Sequence, residues 1–399
     1  MNKGILAVVI AGVVGSGTYV ANKVMVDAAA EQLVNQVEDS VHNVNDNFLD
    51  IQIIKTEISG GDVEQEFAVY LTNGQERTPE PIYVTHNAKV APFGLKVHGQ
   101  LQLPKDKGLA AEFVKEVTSF NENIKYELSP TSQHFDLKSS LTLGVISDRH
   151  LSLKLGKLSL NVAGTVDDNA GQIIIDGAMF NENNNIFEIG KTTLDSVSSS
   201  TLHTADLTIL NARVSDPSTQ IAFNDVKLNT KATVGEKTDV YYDWVVGSLN
   251  VNTPQLSLPE STVGFKGKLG SFDTQKITAF NDAISNNQHT VAEDLLIRIL
   301  GDGFTFSDVN MFVNDSNVKG QLTFNKANYG SLTGYQFESQ VQNAISSEVD
   351  ITLTPKLVTK LGIPQQMLNH FWTIDEANNY TTKVTLDNNK LMANGIPLQ

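Results

Sequence analysis

The sequence predicts an α+β protein: a large, curved, mostly antiparallel β-sheet with a few covering helices, following an N-terminal transmembrane helix. Three observations predict it. Residues Gly4 to Ala21 carry no charge and lie between Lys3 and Lys23, about the 18 residues that a membrane helix needs at its shortest. From Ile51 onward apolar and polar residues alternate in short runs, the period of a strand with one buried face. Short Asn-, Asp- and Gly-rich turns separate the runs, as between antiparallel neighbours.

The first segment sets the expected topology. Lys3 favours the cytoplasmic side, whereas the chain beyond Lys23 soon turns acidic at Asp27, Glu31, Glu38 and Asp39. This predicts a single-pass inner-membrane protein that contacts the membrane through residues 4–21 and has its body in the periplasm. A removed signal, cleaved near Gly15-Ser16-Gly17, is the competing reading. The apolar run through Tyr19, Val20 and Ala21 favours a retained anchor. Gly12, Gly15 and Ser16 would let two anchors approach closely, a route to a homo-oligomer.

Residues 24–50 read as an amphipathic helix. Ala30, Val34, Val37, Val41, Val44 and Phe48 recur at alternating steps of four and three, a heptad seam. Two partners suit such a seam: the protein's own sheet, or a second copy. The acidic residues Glu31, Glu38, Asp39, Asp46 and Asp50 would repel one another in a parallel pair, so packing on the sheet is expected.

The body, residues 51–399, follows the strand rhythm in runs such as Phe67-Val69-Leu71, Leu151-Leu153-Leu155 and Leu158-Leu160-Val162. Between Leu155 and Leu158 the alternation slips by one residue, so a bulge or tight turn is expected at Gly156-Lys157. Helical periods interrupt the strands at Leu109 to Phe120 and at Ile277 to Leu300, the latter stopped by Gly301 and Gly303. Thr354-Pro355 starts a further short helix that Gly362 ends, and Pro364 opens another. A Gly-x-Leu strand followed by a helix occurs at Gly99 and again at Gly267. Two related lobes, about 51–260 and 261–399, are one reading of this recurrence, and coincidence of a common strand pattern is the other.

Composition limits the chemistry. The 399 residues carry a net charge of −16, are 40% hydrophobic and include no cysteine. The length and apolar content suffice for a real core, and thiolate and disulfide chemistry are absent. The acidity argues against nucleic acid. The eight histidines show no metal-ligand spacing. Gly190-Lys191-Thr192 lacks the upstream glycine of a phosphate loop, since Asn185 occupies that place. Asp167-Asp168 and Asp302 read as turn residues. No catalytic, cofactor or metal residue is assigned. Met367, Leu368, Phe371 and Trp372 are the candidate apolar contact surface, or else the cover of the last hairpin.

The tail from Thr373 to Tyr380, then Thr381 to Leu386, Asn388-Asn389, Leu391-Met392-Ala393 and Asn394-Gly395, resembles the ending of the YdgA/YihF-like envelope proteins of Gram-negative bacteria. The Met-x-Lys start and the recurrent Gly-x-Leu strands are similar too. The resemblance implies an inner-membrane anchor and a periplasmic β-rich body, without catalytic residues to carry over. The expected function is that of a non-enzymatic cell-envelope protein whose sheet binds an apolar, lipid-like or protein partner. An envelope scaffold or oligomeric structural protein, and an envelope hydrolase with an unrecognised site, are the alternatives.

Overall fold

A computed structural model describes residues 26, 30–35, 37–38, 41 and 49–398, apart from 73–76, 92–95, 105, 110–119, 130–133, 148–150, 166, 183–184, 256, 286–287, 328–334 and 388. The expected membrane segment, residues 4–21, lies outside them, as does most of the expected helix Leu109 to Phe120. Among the described residues no helix is long and apolar enough to cross a membrane. The chain is mostly antiparallel sheet with few helices and divides into two compact units. One runs to Ser199 and takes in Ser215–Pro217; the other comprises Ser200–Val214 and Ser218–Gln399. Residues 260 and 261 are neighbours inside one strand of the second unit.

The first unit opens with a helix, α1, described at positions 26, 30–35, 37, 38 and 41. Thirteen strands follow: β1 (Leu49–Ser59), β2 (Asp62–Leu71), β3 (Ile82–Val90), β4 (Val97–Gln102), β5 (Phe120–Ser129), β6 (His134–Leu143), β7 (Val145–Ser147), β8 (Leu151–Leu155), β9 (Lys157–Gly164), β10 (Asn169–Ile175), β11 (Ala178–Glu182), β12 (Asn185–Ile189) and β13 (Thr192–Ser198). β1 to β6 pair in sequence order, all antiparallel. β9, β10 and β13 extend that ladder from β6, and β7, β8, β11 and β12 form a second course of antiparallel pairings beside it.

These last eight strands are four long ones, each interrupted at one level. The slip expected at Gly156 falls there, between β8 and β9. Leu155 faces Ala178 and Leu158 faces Ile175, which sets Gly156 opposite Gly177. Ala178 faces Ile189 and Ile175 faces Thr192, which sets Gly177 opposite Gly190. Each strand spends one extra residue at this line, so Leu155 and Leu158, or Ile175 and Ala178, keep to one face. Glycine is required at Gly177, whose φ is 126°.

The core of this unit lies under α1. Ala30, Leu33, Val34, Val37 and Val41 form one buried cluster with Val63, Phe67, Val69, Leu128 and Leu137 of the strands, while Glu31, Asn35 and Glu38 are exposed. The apolar seam of α1 faces its own sheet.

The second unit begins with β14 (Leu202–Ser215), β15 (Gln220–Val234), β16 (Lys237–Asn252) and β17 (Ser257–Asp273). Then come α2 (Thr274–Ser285), α3 (His289–Gly301), β18 (Phe304–Val313), β19 (Ser316–Phe324), α4 (Tyr335–Ala344) and β20 (Ile345–Leu353). The chain ends with α5 (Pro355–Leu361), α6 (Gln365–Phe371), β21 (Thr373–Ile374), β22 (Tyr380–Asp387), β23 (Lys390–Ala393) and β24 (Ile396–Pro397). β15 to β20 pair antiparallel in order and β22 continues from β20. Every described helix of this unit therefore lies in a connection between antiparallel neighbours.

The period read over Ile277 to Leu300 resolves into two helices. The first ends at Ser285 and the second begins at His289, after Gln288 with a non-helical φ of −90° and ψ of 64°. α5 starts and stops as the sequence indicates. Thr354 Oγ1 accepts the Leu357 N–H at 3.4 Å, proline occupies the first turn, and Gly362 ends the helix at φ 63°.

Candidate functional site

In the second unit, cross-strand register assembles a continuous apolar stripe. Leu228, Trp244, Phe265, Met311, Val318 and Ile351 are direct partners in turn across β15 to β20. Direct partners share a face, so six strands at about 4.8 Å spacing give a stripe about 24 Å across. A second row, Val226, Val246, Val263 and Val313, runs beside it. Phe306 lies 5.6 Å from Phe265 between ring centroids, and Phe304 stacks on Phe324 at 4.4 Å.

Aspartates in a left-handed conformation keep this face in phase. Asp308 at φ 53° lies between Phe306 and Val309, and Asp225 at φ 52° between Phe223 and Val226. Asp is among the few side chains that adopt this conformation routinely. Each spends one residue, so the apolar side chains on both sides of it point the same way. The stripe is not sealed: Trp244 is 37% exposed and Met311 45%, against 1% for Val246. At its far end Ile351 faces Thr382, a buried residue whose Oγ1 has no hydrogen-bond partner.

The equivalent face of β1 to β6 is closed over and contains a polar chain. His86 Nε2 lies 2.6 Å from the Tyr126 hydroxyl, and His86 Nδ1 lies 3.0 Å from Gln65 Oε1. Gln65 Oε1 can only accept, so Nδ1 carries the proton and Nε2 accepts from Tyr126. All three residues are buried. Desolvation pushes the His86 pKa down to about 4 and raises that of Tyr126. Tyr126 reaches His86 by lying over Gly99 of β4, where an added Cβ would fall 2.0 Å from its Cζ.

Leu368, of the expected contact surface, is buried at 3% exposure, Met367 is 49% exposed, and Phe371 and Trp372 are half-buried. Asn394 Nδ2 donates to the Phe371 carbonyl at 2.9 Å. Leu368 is core, and the four do not form one exposed patch. Asn394 and Gly395 have φ of 46° and 78° and join β23 to β24, as an Asn-Gly hairpin turn does.

The polar motifs are accounted for locally. Asp168 closes a turn with Thr165 through backbone N–H to carbonyl and hydroxyl bonds of 2.7 and 3.0 Å, Asp302 pairs with Lys276, and Gly190 sits on the glycine line. His98 Nδ1 is 3.4 Å from Glu127 Oε2 on an exposed surface, where Lys96 also bonds Glu127 and lowers its pKa. No group of three His, Asp or Glu side chains among the described residues could hold a metal ion.

Comparison with protein-family models, with curated proteins and with solved structures returns no match.

The sequence reading missed the stripe as a site. The adjacency of its members depends on register across 124 residues of chain, from Leu228 to Ile351. It also missed α4, whose sequence is dominated by Gln, Ser and Asn.

Proposed function

We propose that the protein is a non-enzymatic cell-envelope component that holds an acyl chain on the apolar face of its second unit. The observation that carries this reading is the stripe from Leu228 to Ile351 with Trp244 and Met311 open to solvent. A protein partner needs about one hydrogen bond per 100–200 Å² of interface, and the six side chains of the stripe offer only the Trp244 N–H. An acyl chain needs none, and Met311 can adapt to its shape. The anchor through residues 4–21, the periplasmic location and a curved sheet belong to the same proposal, supported by the charge-free segment and by the resemblance of the tail.

Native mass spectrometry of the purified protein tests the reading. A retained lipid adduct, lost in Met311→Asp without loss of fold, is the expected result. A ligand-free protein that instead forms a dimer through this face would favour the scaffold alternative.

A further inference from the structure

Strand alternation gives the second unit an opposite face of different chemistry. Tyr241 and Asp243 flank Tyr242 and Trp244 in β16 and so point away from the apolar stripe. On that side Asn229, Asp243, Lys266 and Asn310 are direct partners across β15 to β18, and Lys231, Tyr241 and Lys268 form the neighbouring row. Together they line an open groove of about 840 Å³, within the size range of small-molecule sites.

The contents of the groove select among ligands. Its charges balance, with Lys231, Lys266 and Lys268 against Asp206, Asp243 and Asp308. A polyanion or polycation therefore gains little. Lys266 is held by Asp243 at 2.9 Å, and Lys268 by Asp239 at 2.9 Å. Two acceptors of the lining stand exposed, Asp206 and Asn229, whereas Asp243 Oδ1 and Asn310 Oδ1, one on each side of Lys266, are buried. Tyr241 is 38% exposed, with the Lys268 ammonium 5.3 Å from its ring centroid. Exposed acceptors, balanced charge and an exposed aromatic ring match a ligand dense in hydroxyl donors, with apolar C–H faces that can lie on a ring.

We infer that this groove binds a neutral oligosaccharide, with Tyr241 as its stacking platform and the exposed Asp206 and Asn229 accepting from its hydroxyls. The site is independent of the acyl-chain reading, since it occupies the other face of the same strands. It makes the second unit a sheet with two ligand chemistries, one on each side.

Saturation-transfer NMR on the full-length protein tests it, using neutral tetrasaccharides of β-1,4-linked N-acetylglucosamine, β-1,4-linked glucose and α-1,4-linked glucose. At least one should show saturation transfer. Tyr241→Ala should weaken its binding by about tenfold or more, Tyr241→Phe should retain most of it, and Met311→Asp on the opposite face should leave it unchanged. Should Tyr241→Ala not fold, Asn229→Ala with Lys231→Ala, both exposed positions, serves as the second variant and should also weaken binding. The inference is overturned if none of the three sugars binds, if inorganic polyphosphate or an extended peptide binds there in their place, or if a folded groove variant binds as the wild type does.

Discussion

Two runs of antiparallel strands with the same alternation have different fates in this molecule. On β1 to β6 the apolar face is closed by α1, and Val63, Phe67, Val69 and Leu137 are at most 5% exposed. On β15 to β20 the face is at least as apolar, yet Trp244 and Met311 remain open to water. The difference teaches that an amphipathic face becomes core or open surface according to what the chain lays over it. In the first unit a seam of Ala30, Leu33, Val34, Val37 and Val41 does so.

If the comparison is right, equal truncations should have unequal costs. Leu137→Ala, 2% exposed, should destabilise by about 4 kcal/mol, as for a fully packed leucine. Leu228→Ala, half-buried on the open stripe, should cost no more than about 1 kcal/mol. Urea unfolding of both variants measures the gap, and equal losses would break the distinction.

The buried polar chain sharpens it through pH. The folded pKa of His86, about 4, lies below the ordinary 6.5, so the unfolded chain takes up the proton first as pH falls. The contribution is complete above about pH 6.5 and is lost as pH drops towards 4. The total is about 3 kcal/mol, from about 1.4 kcal/mol per pKa unit. Urea unfolding at several pH values should show this dependence in the wild type and not in His86→Leu. A profile shared by both would place the pH response elsewhere.

Gly99→Ala comes next in size. Its Cβ would displace Tyr126 and its bond to His86, at a cost of about 2 kcal/mol. Gly267→Ala in the second unit would bring a Cβ 2.8 Å from Phe306 Cε2, and that half-buried ring has more room to yield. About 1 kcal/mol is expected there, and thermal melting of the two variants should rank them in this order.

Much of this was legible in the sequence. Alternation announced the strands, the Leu155 to Leu158 step located the glycine line, and Thr354-Pro355, Gly362 and Pro364 bounded α5 and α6. The covering role of α1 followed from its seam and its acidic residues. That the strands of the second unit would be as long as β15, β16 and β17 was not legible. In β15 and β18, Asp225 and Asp308 restore the phase of the apolar face, which a residue-by-residue pattern does not reveal. The Gln65, His86 and Tyr126 chain was hidden for a related reason: its members stand 21 and 40 residues apart, and none forms a motif with its own neighbours in sequence. The stripe was the hardest to see because no single strand contains it.

The central claim is that the open stripe of the second unit holds an acyl chain. Trp244 lies in the stripe and Trp372 outside it, and they are the only tryptophans, so Trp372→Phe isolates the Trp244 emission. Titration of that variant with a bromine-labelled fatty acid should quench Trp244 to a saturating level. Met311→Asp should remove the quenching while changing the melting temperature little, because Met311 is 45% exposed. A folded protein whose Trp244 emission shows no saturable quenching by the brominated chain would contradict the account.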